Sequence, residues 1–295
     1  MQHDVIILGG SYAGMSAALQ LARARRNILI IDGGKRRNRF AAHSHGFLTR
    51  DGEDPSAIAA EAKRQLLRYP TVTWIETEAS SAERAEAGFS VSAGGTRHFG
   101  RRLILATGVV DHLPEIAGLS ERWGRSVFHC PYCHGYELDR GRIGVIAVSS
   151  LSLHHALMLP DWGQTTLLLN DRFDPDEDQL TQLRRRGTQV EAGAIADISG
   201  TADVRLRGGR ELRFDGLFVA PRTVVAAPFA EQLGCEMEEG PMGLFIKTSP
   251  MKATSIDGVF ACGDAARAAG SVTLAVGDGA MAGTAAHQSL MFELK

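Results

Sequence analysis

Apolar positions cluster in short β-branched runs, separated by glycine turns and by longer alanine- and leucine-rich stretches. This alternation predicts strands interleaved with helices. Val5 to Leu8 reads as a buried strand, Met15 to Arg26 (MSAALQLARARR) as a helix, and Ile28 to Ile31 as a second strand ending in Asp32. Strand, glycine turn, helix, strand is one βαβ unit of a doubly wound sheet, with a right-handed crossover. Pro55 opens a helix through Arg68, with Ile58, Ala62 and Leu66 on one face. Thr71 to Glu76, Phe89 to Ser92 and Arg97 to Phe99 read as strands, the last two turning around Ala93-Gly94-Gly95. Leu103 to Gly108 reads as a separate buried strand ending in a turn.

A degenerate echo of the first unit follows: strand Ile143 to Val148, helix Leu151 to Leu159, strand Thr165 to Leu169. The run Gly258 to Cys262 then meets Gly263-Asp264, and a glycine- and alanine-rich helix runs from about Thr273 to the end. The expected architecture is α/β with two Rossmann-like, doubly wound domains. The first is formed by residues 1–112 and 246–295, and the second, 113–245, is inserted into it.

Length supports that division, since 295 residues correspond to about two domains. A formal net charge of -2 leaves no single-sign field, so neither nucleic acid nor an anionic membrane is expected as partner. No run approaches the roughly 18 apolar residues of a spanning helix. Met1-Gln-His-Asp leads straight into the first strand without the order of a signal peptide, which points to a soluble protein of the cytoplasm. The four cysteines, Cys130, Cys133, Cys235 and Cys262, are too few and too unevenly placed for a secreted disulfide framework.

Between the first strand and helix stands Gly9-Gly10-Ser11-Tyr12-Ala13-Gly14. The Gly-x-Gly-x-x-Gly register begins at Gly9 and ends at Gly14, with Ser11 at its middle position. Gly9 permits the tight turn, Gly14 the close helix–strand packing, and the helix amides offer partial positive charge to a pyrophosphate. Gly9, Ser11, Ala13 and Gly14 are therefore candidate dinucleotide contacts, and Asp32 is placed to accept from ribose hydroxyls. A glycine turn with a solvated aspartate is the plainer alternative. Cys130-Pro-Tyr-Cys133 can close a small redox ring. Zinc binding would need two further ligands, for which His129 and His134 are poorly spaced, and two inert thiols are a third reading, so no metal is assigned.

Together with the opening βαβ unit and the CxxC, Leu105-Ala106-Thr107-Gly108 and Gly258-Val-Phe-Ala-Cys-Gly263-Asp264 resemble the FAD-dependent, low-molecular-weight thioredoxin reductases, nearly end to end. The resemblance implies a thioredoxin reductase-like fold in which residues 1–112 and 246–295 bind FAD. It puts Thr107 and Gly108 near the flavin, Asp264 after Gly263 on the ribityl chain, and Val272 as a backbone donor to the pyrimidine end. It makes Cys133 the thiol nearest the flavin and Cys130 the one that meets substrate. Asn38 and His45 match loop positions that pass the cofactor, although a loop histidine is also commonly just solvated. A homodimer is implied as well.

Two departures change the expected chemistry. Thioredoxin reductases carry aspartate after the second cysteine; here it is His134, and CxxCH is similar to the FAD-dependent dithiol oxidases that close disulfides in small metabolites of the gliotoxin and holomycin type. An imidazole titrating near neutrality would serve as base for an incoming dithiol, unless it merely caps a turn. Second, the NADPH fingerprint is replaced by Ala147-Val-Ser-Ser-Leu-Ser152, without glycine, and Asp174 to Asp178 stand where a 2'-phosphate would need arginines. NADPH is thus doubtful, while Asp171 could suit the ribose of NADH. The expected reaction is oxidation of a small dithiol or a thioredoxin-like protein by way of Cys130, Cys133, His134 and FAD, with oxygen as acceptor. A reductase driven by NAD(P)H or ferredoxin, and a non-catalytic flavin redox sensor, remain open. Cys235 is expected in a surface loop, and the adjacent His154 and His155 are assigned no joint role.

Overall fold

A computed structural model describes residues 2–292. The chain divides into two compact units, one of residues 2–39, 47–110 and 223–292, the other of 40–46 and 111–222. The limits expected at residue 1 and at 293–295, with the last helix's continuation through them, lie outside the described residues.

The first unit is built on a seven-stranded sheet. Val72–Glu76, Ile28–Asp32, Gln2–Leu8, Thr96–Leu105 and Val259–Ala261 run parallel, and Thr96–Leu105 continues antiparallel into Gly88–Ala93 and Ala79–Ala85. Central strands of such a sheet are covered on both faces, which is why they read as unbroken apolar runs. Val5, Ile7, Ile28, Ile30 and Ile104 face a core shared with the helices Tyr12–Arg23, Pro55–Leu66 and Val272–Phe292. Ile6, Leu8, Leu29 and Leu103 face the other core, with Phe89 and Phe229.

Three expectations need correction here. Arg97–Phe99 and Leu103–Leu105 are one ten-residue strand, Thr96–Leu105, and Ala79–Ala85 is a strand the pattern did not announce. At Gly100 a side chain would come within 2.8 Å of Ile6, so the glycine that looks like a break allows the long strand to lie against its neighbour. Residues 223–245 pack with the first unit, not with the inserted piece, because Phe229, Ala230 and Cys235 complete its second core. Cys235 is accordingly buried, not in a surface loop; its thiol lies 3.7 Å from Thr254 Oγ1, and burial pushes its pKa up.

The second unit holds a five-stranded parallel sheet in the order Gln189–Glu191, Gly163–Leu168, Arg140–Ile146, Gly216–Val219, Val127–Phe128. The helices Ser152–Met158 and Glu177–Arg186 belong to it, as does an antiparallel sheet of Ile195–Ser199, Asp203–Leu206 and Glu211–Arg213. Asp176 caps the second helix in a reciprocal box with Gln179, so one of the acids expected to oppose a phosphate serves its own backbone.

Candidate functional site

The opening turn has the geometry a pyrophosphate needs. Gly9 adopts φ +104°, where a side chain would run into the Ala106 carbonyl, and a side chain at Gly14 would overlap the Gly9 carbonyl. Ser11 is the N-cap of Tyr12–Arg23, yet its hydroxyl makes no capping bond, so the first-turn amides stay directed at a ligand. Ala13 is buried beneath them, and Gly10 N donates to Asp32 Oδ1 at 3.0 Å.

Beside Asp32 opens a cavity of about 570 Å³ lined by Arg36, Ser56, Lys63, Trp74 and Glu76 among others. Lys63 Nζ sits 4.4 Å over the Trp74 ring and pairs with Glu76, and Trp74 Nε1 is buried without a hydrogen-bond partner among the described residues. Sequence reading missed these residues. A signal existed, because Val72–Glu76 pairs in parallel with the Asp32 strand, setting Trp74 against Ile30 and Glu76 against Asp32.

Of the remaining residues implied for FAD, all but His45 lie in the same unit. Asn38 Nδ2 donates to the Tyr12 hydroxyl (3.3 Å), which itself donates to the Pro55 carbonyl (2.9 Å); burial is the main cause that raises the Tyr12 pKa. Asn38 Oδ1 and Thr107 Oγ1 are buried with no partner among the described residues. A buried polar atom left unpaired is costly, and a cofactor rich in hydroxyls and amides resolves both. Gly108 follows at φ +70°. Gly263 and Asp264 open a short 3-10 turn after Val259–Ala261, where Asp264 Oδ2 accepts from Arg37 at 2.8 Å. Val272 begins the last long helix, with Ser271 Oγ accepting from Leu274 N. An open helix end, a ribose acceptor and orphaned buried groups along one unit fit FAD.

The redox pair lies in the second unit. Val127–Phe128 delivers the chain to Cys130, which caps the short helix Pro131–His134, and Cys130 and Cys133 form a disulfide with Cα atoms 5.3 Å apart. Both cysteines are partly accessible, whereas Tyr132 between them is 75% exposed and meets Trp162 edge-on. His134 stacks on Phe128 with ring centroids 4.3 Å apart. Burial, and secondarily nearby His45, lower its pKa to about 4. The near-neutral imidazole expected from sequence is therefore corrected: His134 is neutral at pH 7 but a weak base. His45 belongs to this unit, not to the unit of Asn38, and its Nδ1 lies 3.4 Å from Glu137 Oε1.

The turn Ala147 to Ser152 is closed by its own side chains. Ser152 Oγ accepts from Val148 N at 3.1 Å, and Ser149 Oγ from Leu151 N at 3.3 Å. Asn170 and Asp171 both have positive φ, and Asn170 Oδ1 is taken by Ile195 N.

Comparison with known proteins gives a consistent picture. A thioredoxin reductase of Leptosphaeria maculans, sirT, is 33% identical over 95% of this chain and 92% of its own. The crystal structure of an oxidoreductase from Agrobacterium tumefaciens is 59% identical, with TM-score 0.97 and full coverage of both chains. The structure of HlmI is 34% identical, with TM-score 0.92 over 99% of this chain and 93% of its own. Residues 3–279 match the model of the pyridine nucleotide-disulphide oxidoreductases, and with a Cys130–Cys133 disulfide and a fitting FAD cradle the chain belongs to that family as a thioredoxin reductase-like, FAD-dependent thiol–disulfide oxidoreductase.

Proposed function

We propose that this protein oxidises dithiols to disulfides, with FAD held by the first unit and oxygen as the final acceptor. The observation that carries this direction is the contrast between the two βαβ turns. At Ser11 the helix amides are left open for a pyrophosphate, while at Ser149 and Ser152 the corresponding turn satisfies itself with hydroxyls. A nicotinamide dinucleotide would have to displace those bonds and pass side chains where glycines give room.

The residues then act as follows. A substrate thiolate attacks Cys130 Sγ, the Cys130–Cys133 bond breaks and Cys133 leaves as thiolate. The second substrate thiolate attacks the substrate sulfur of the mixed disulfide, which releases oxidised substrate and the Cys130 thiolate. Two protons leave the substrate thiols; His134, neutral above about pH 4, accepts one and the other passes to solvent water. When bound, FAD would supply a two-electron acceptor for the reduced pair, with oxygen as the final acceptor. Gly9, Ser11, Ala13, Gly14 and Asp32 would hold its dinucleotide half, and Asn38, Thr107, Gly108, Gly263, Asp264 and Val272 would hold the rest. The substrate is a small dithiol or a thioredoxin-like protein, and the enzyme works as a cytoplasmic homodimer.

Anaerobic mixing tests the direction. Dithiothreitol is expected to bleach the flavin and air to restore it, while micromolar NADPH or NADH leaves it yellow. Rapid saturable bleaching by either nucleotide would overturn the oxidase reading in favour of a reductase. Bleaching without turnover of any dithiol would favour a redox sensor.

A further inference from the structure

Three charged side chains of the first unit meet in a cluster to which neither FAD binding nor the thiol chemistry has given a role. Lys252 Nζ lies 2.8 Å from Asp278 Oδ1, and Arg267 Nη1 lies 3.3 Å from Asp278 Oδ2. The aspartate is buried, and both cations are largely covered. Lys252 stands at φ +64°, a backbone conformation that residues with long side chains rarely adopt. Glycine would make the same turn more easily, so the lysine is there for what its side chain reaches.

Stability does not account for the triad, since apolar side chains of similar volume commonly replace buried charges without loss. What the charges add is a surplus. One carboxylate faces two cations, whereas Asp264 is matched one to one by Arg37. Arg267 follows directly on the turn Gly263–Ala266 that carries Asp264, and Asp278 lies six residues into the helix Val272–Phe292, about 9 Å along its axis from Val272. This part of the helix is fixed in place. Ser16 Oγ donates to the Val276 carbonyl at 2.7 Å, and a side chain at Gly279 would come within 2.1 Å of the Ala13 carbonyl oxygen, so the helix lies directly against Tyr12–Arg23. The surplus charge is therefore held at a set distance from the amides at Val272, and it reinforces their partial positive charge.

We propose that the Lys252–Asp278–Arg267 triad tunes the reduction potential of bound FAD, its surplus positive charge favouring the reduced, more negative flavin. The proposal rests on FAD lying in the first unit with its pyrimidine end at Val272. Reduction adds negative charge to the ring, and a cation shielded from water attracts that charge with little screening. Lys252 stands before the strand Val259–Ala261 and Arg267 after it, and Asp278 is the group that gathers the two. Removing the acid leaves both cations unmatched, and removing one cation leaves the acid to neutralise the other.

Anaerobic titration of the holoprotein against reference dyes reads the potential directly, with the oxidised flavin followed by absorbance and no turnover involved. Asp278→Asn doubles the surplus and Lys252→Met abolishes it, while Lys252→Arg and the double variant Asp278→Asn, Lys252→Met leave it as in the wild type. One unit charge at about 10 Å, in a medium of effective permittivity about 20, shifts the balance of oxidised and reduced flavin about 10-fold. Asp278→Asn is expected to raise the potential by about 30 mV, the equivalent of that shift for a two-electron couple, and Lys252→Met to lower it by as much. Lys252→Arg and the double variant should stay near the wild type. Potentials that do not follow the order of charge, or a Lys252→Arg displaced as far as Lys252→Met, overturn the proposal. If Asp278→Asn does not fold, the two Lys252 variants decide on the same terms. A bound flavin whose potential none of these changes moves overturns this proposal alone, whereas a wild-type protein that takes up no FAD overturns the cofactor reading and this proposal with it.

Discussion

Acidification should destabilise the second unit through His134 and His155. Burial lowers each from an ordinary 6.5 to about 4, with His45 adding to the effect on the first and His154 on the second. The unfolded chain binds a proton on each near 6.5 and the folded chain only near 4, so between those values the unfolded state holds more protons and stability falls as pH falls. The contribution of neutral burial is complete above about 6.5 and gone near 4. At about 1.36 kcal/mol per pH unit, 2.5 units give a ceiling of about 3 kcal/mol per histidine. Both rings keep some solvent contact, and halving for screening leaves about 3 kcal/mol for the pair. Urea unfolding followed by tryptophan fluorescence, at intervals from pH 7.5 to 4.5, measures it. Trp123 and Trp162 report on this unit. Ion-paired carboxylates such as Glu61, held at about 2, give way below this window. A His134→Phe, His155→Gln double variant should flatten the profile; a wild-type profile already flat, or a double variant with the wild-type slope, would refute the reasoning.

Gly14→Ala forces a methyl into the Gly9 carbonyl and should cost about 1–3 kcal/mol, seen as a lower Tm together with a lower flavin-to-protein absorbance ratio. Asp264→Ala strips the half-buried Arg37 of its carboxylate and should weaken FAD retention by about 1.5–3 kcal/mol; an unchanged FAD Kd in equilibrium dialysis would remove Asp264 from the cofactor site. His134→Ala should lower dithiol turnover by about 10²–10⁴ with FAD still bound, and raising pH should recover part of the loss as substrate thiols ionise near about 8.5. If His129→Ala shows that loss and His134→Ala does not, the base is misassigned. Because the His134 pKa is about 4, wild-type turnover should show no inflection from this group between pH 6 and 7.

The sequence by itself determined what is local. A strand of β-branched residues, a turn that only glycine can make at Gly9, and a helix of small residues lie within some twenty positions, and sterics and periodicity act at that range. The Ser149–Ser152 closure was legible in the same way, as missing glycines, although its hydrogen bonds were not. Tertiary structure alone decided the rest, because each remaining property depends on what distant chain brings alongside. Ile6 beside Gly100 turned an apparent break into a continuous strand, and Phe229 with its neighbours drew Cys235 into a core. Phe128 against His134 moved a pKa from near neutrality to about 4, because desolvation is exerted by neighbours in space, whatever their separation in the chain. His155, edge-on against Phe218, was moved to about 4 in the same way, by neighbours that only the folded unit supplies.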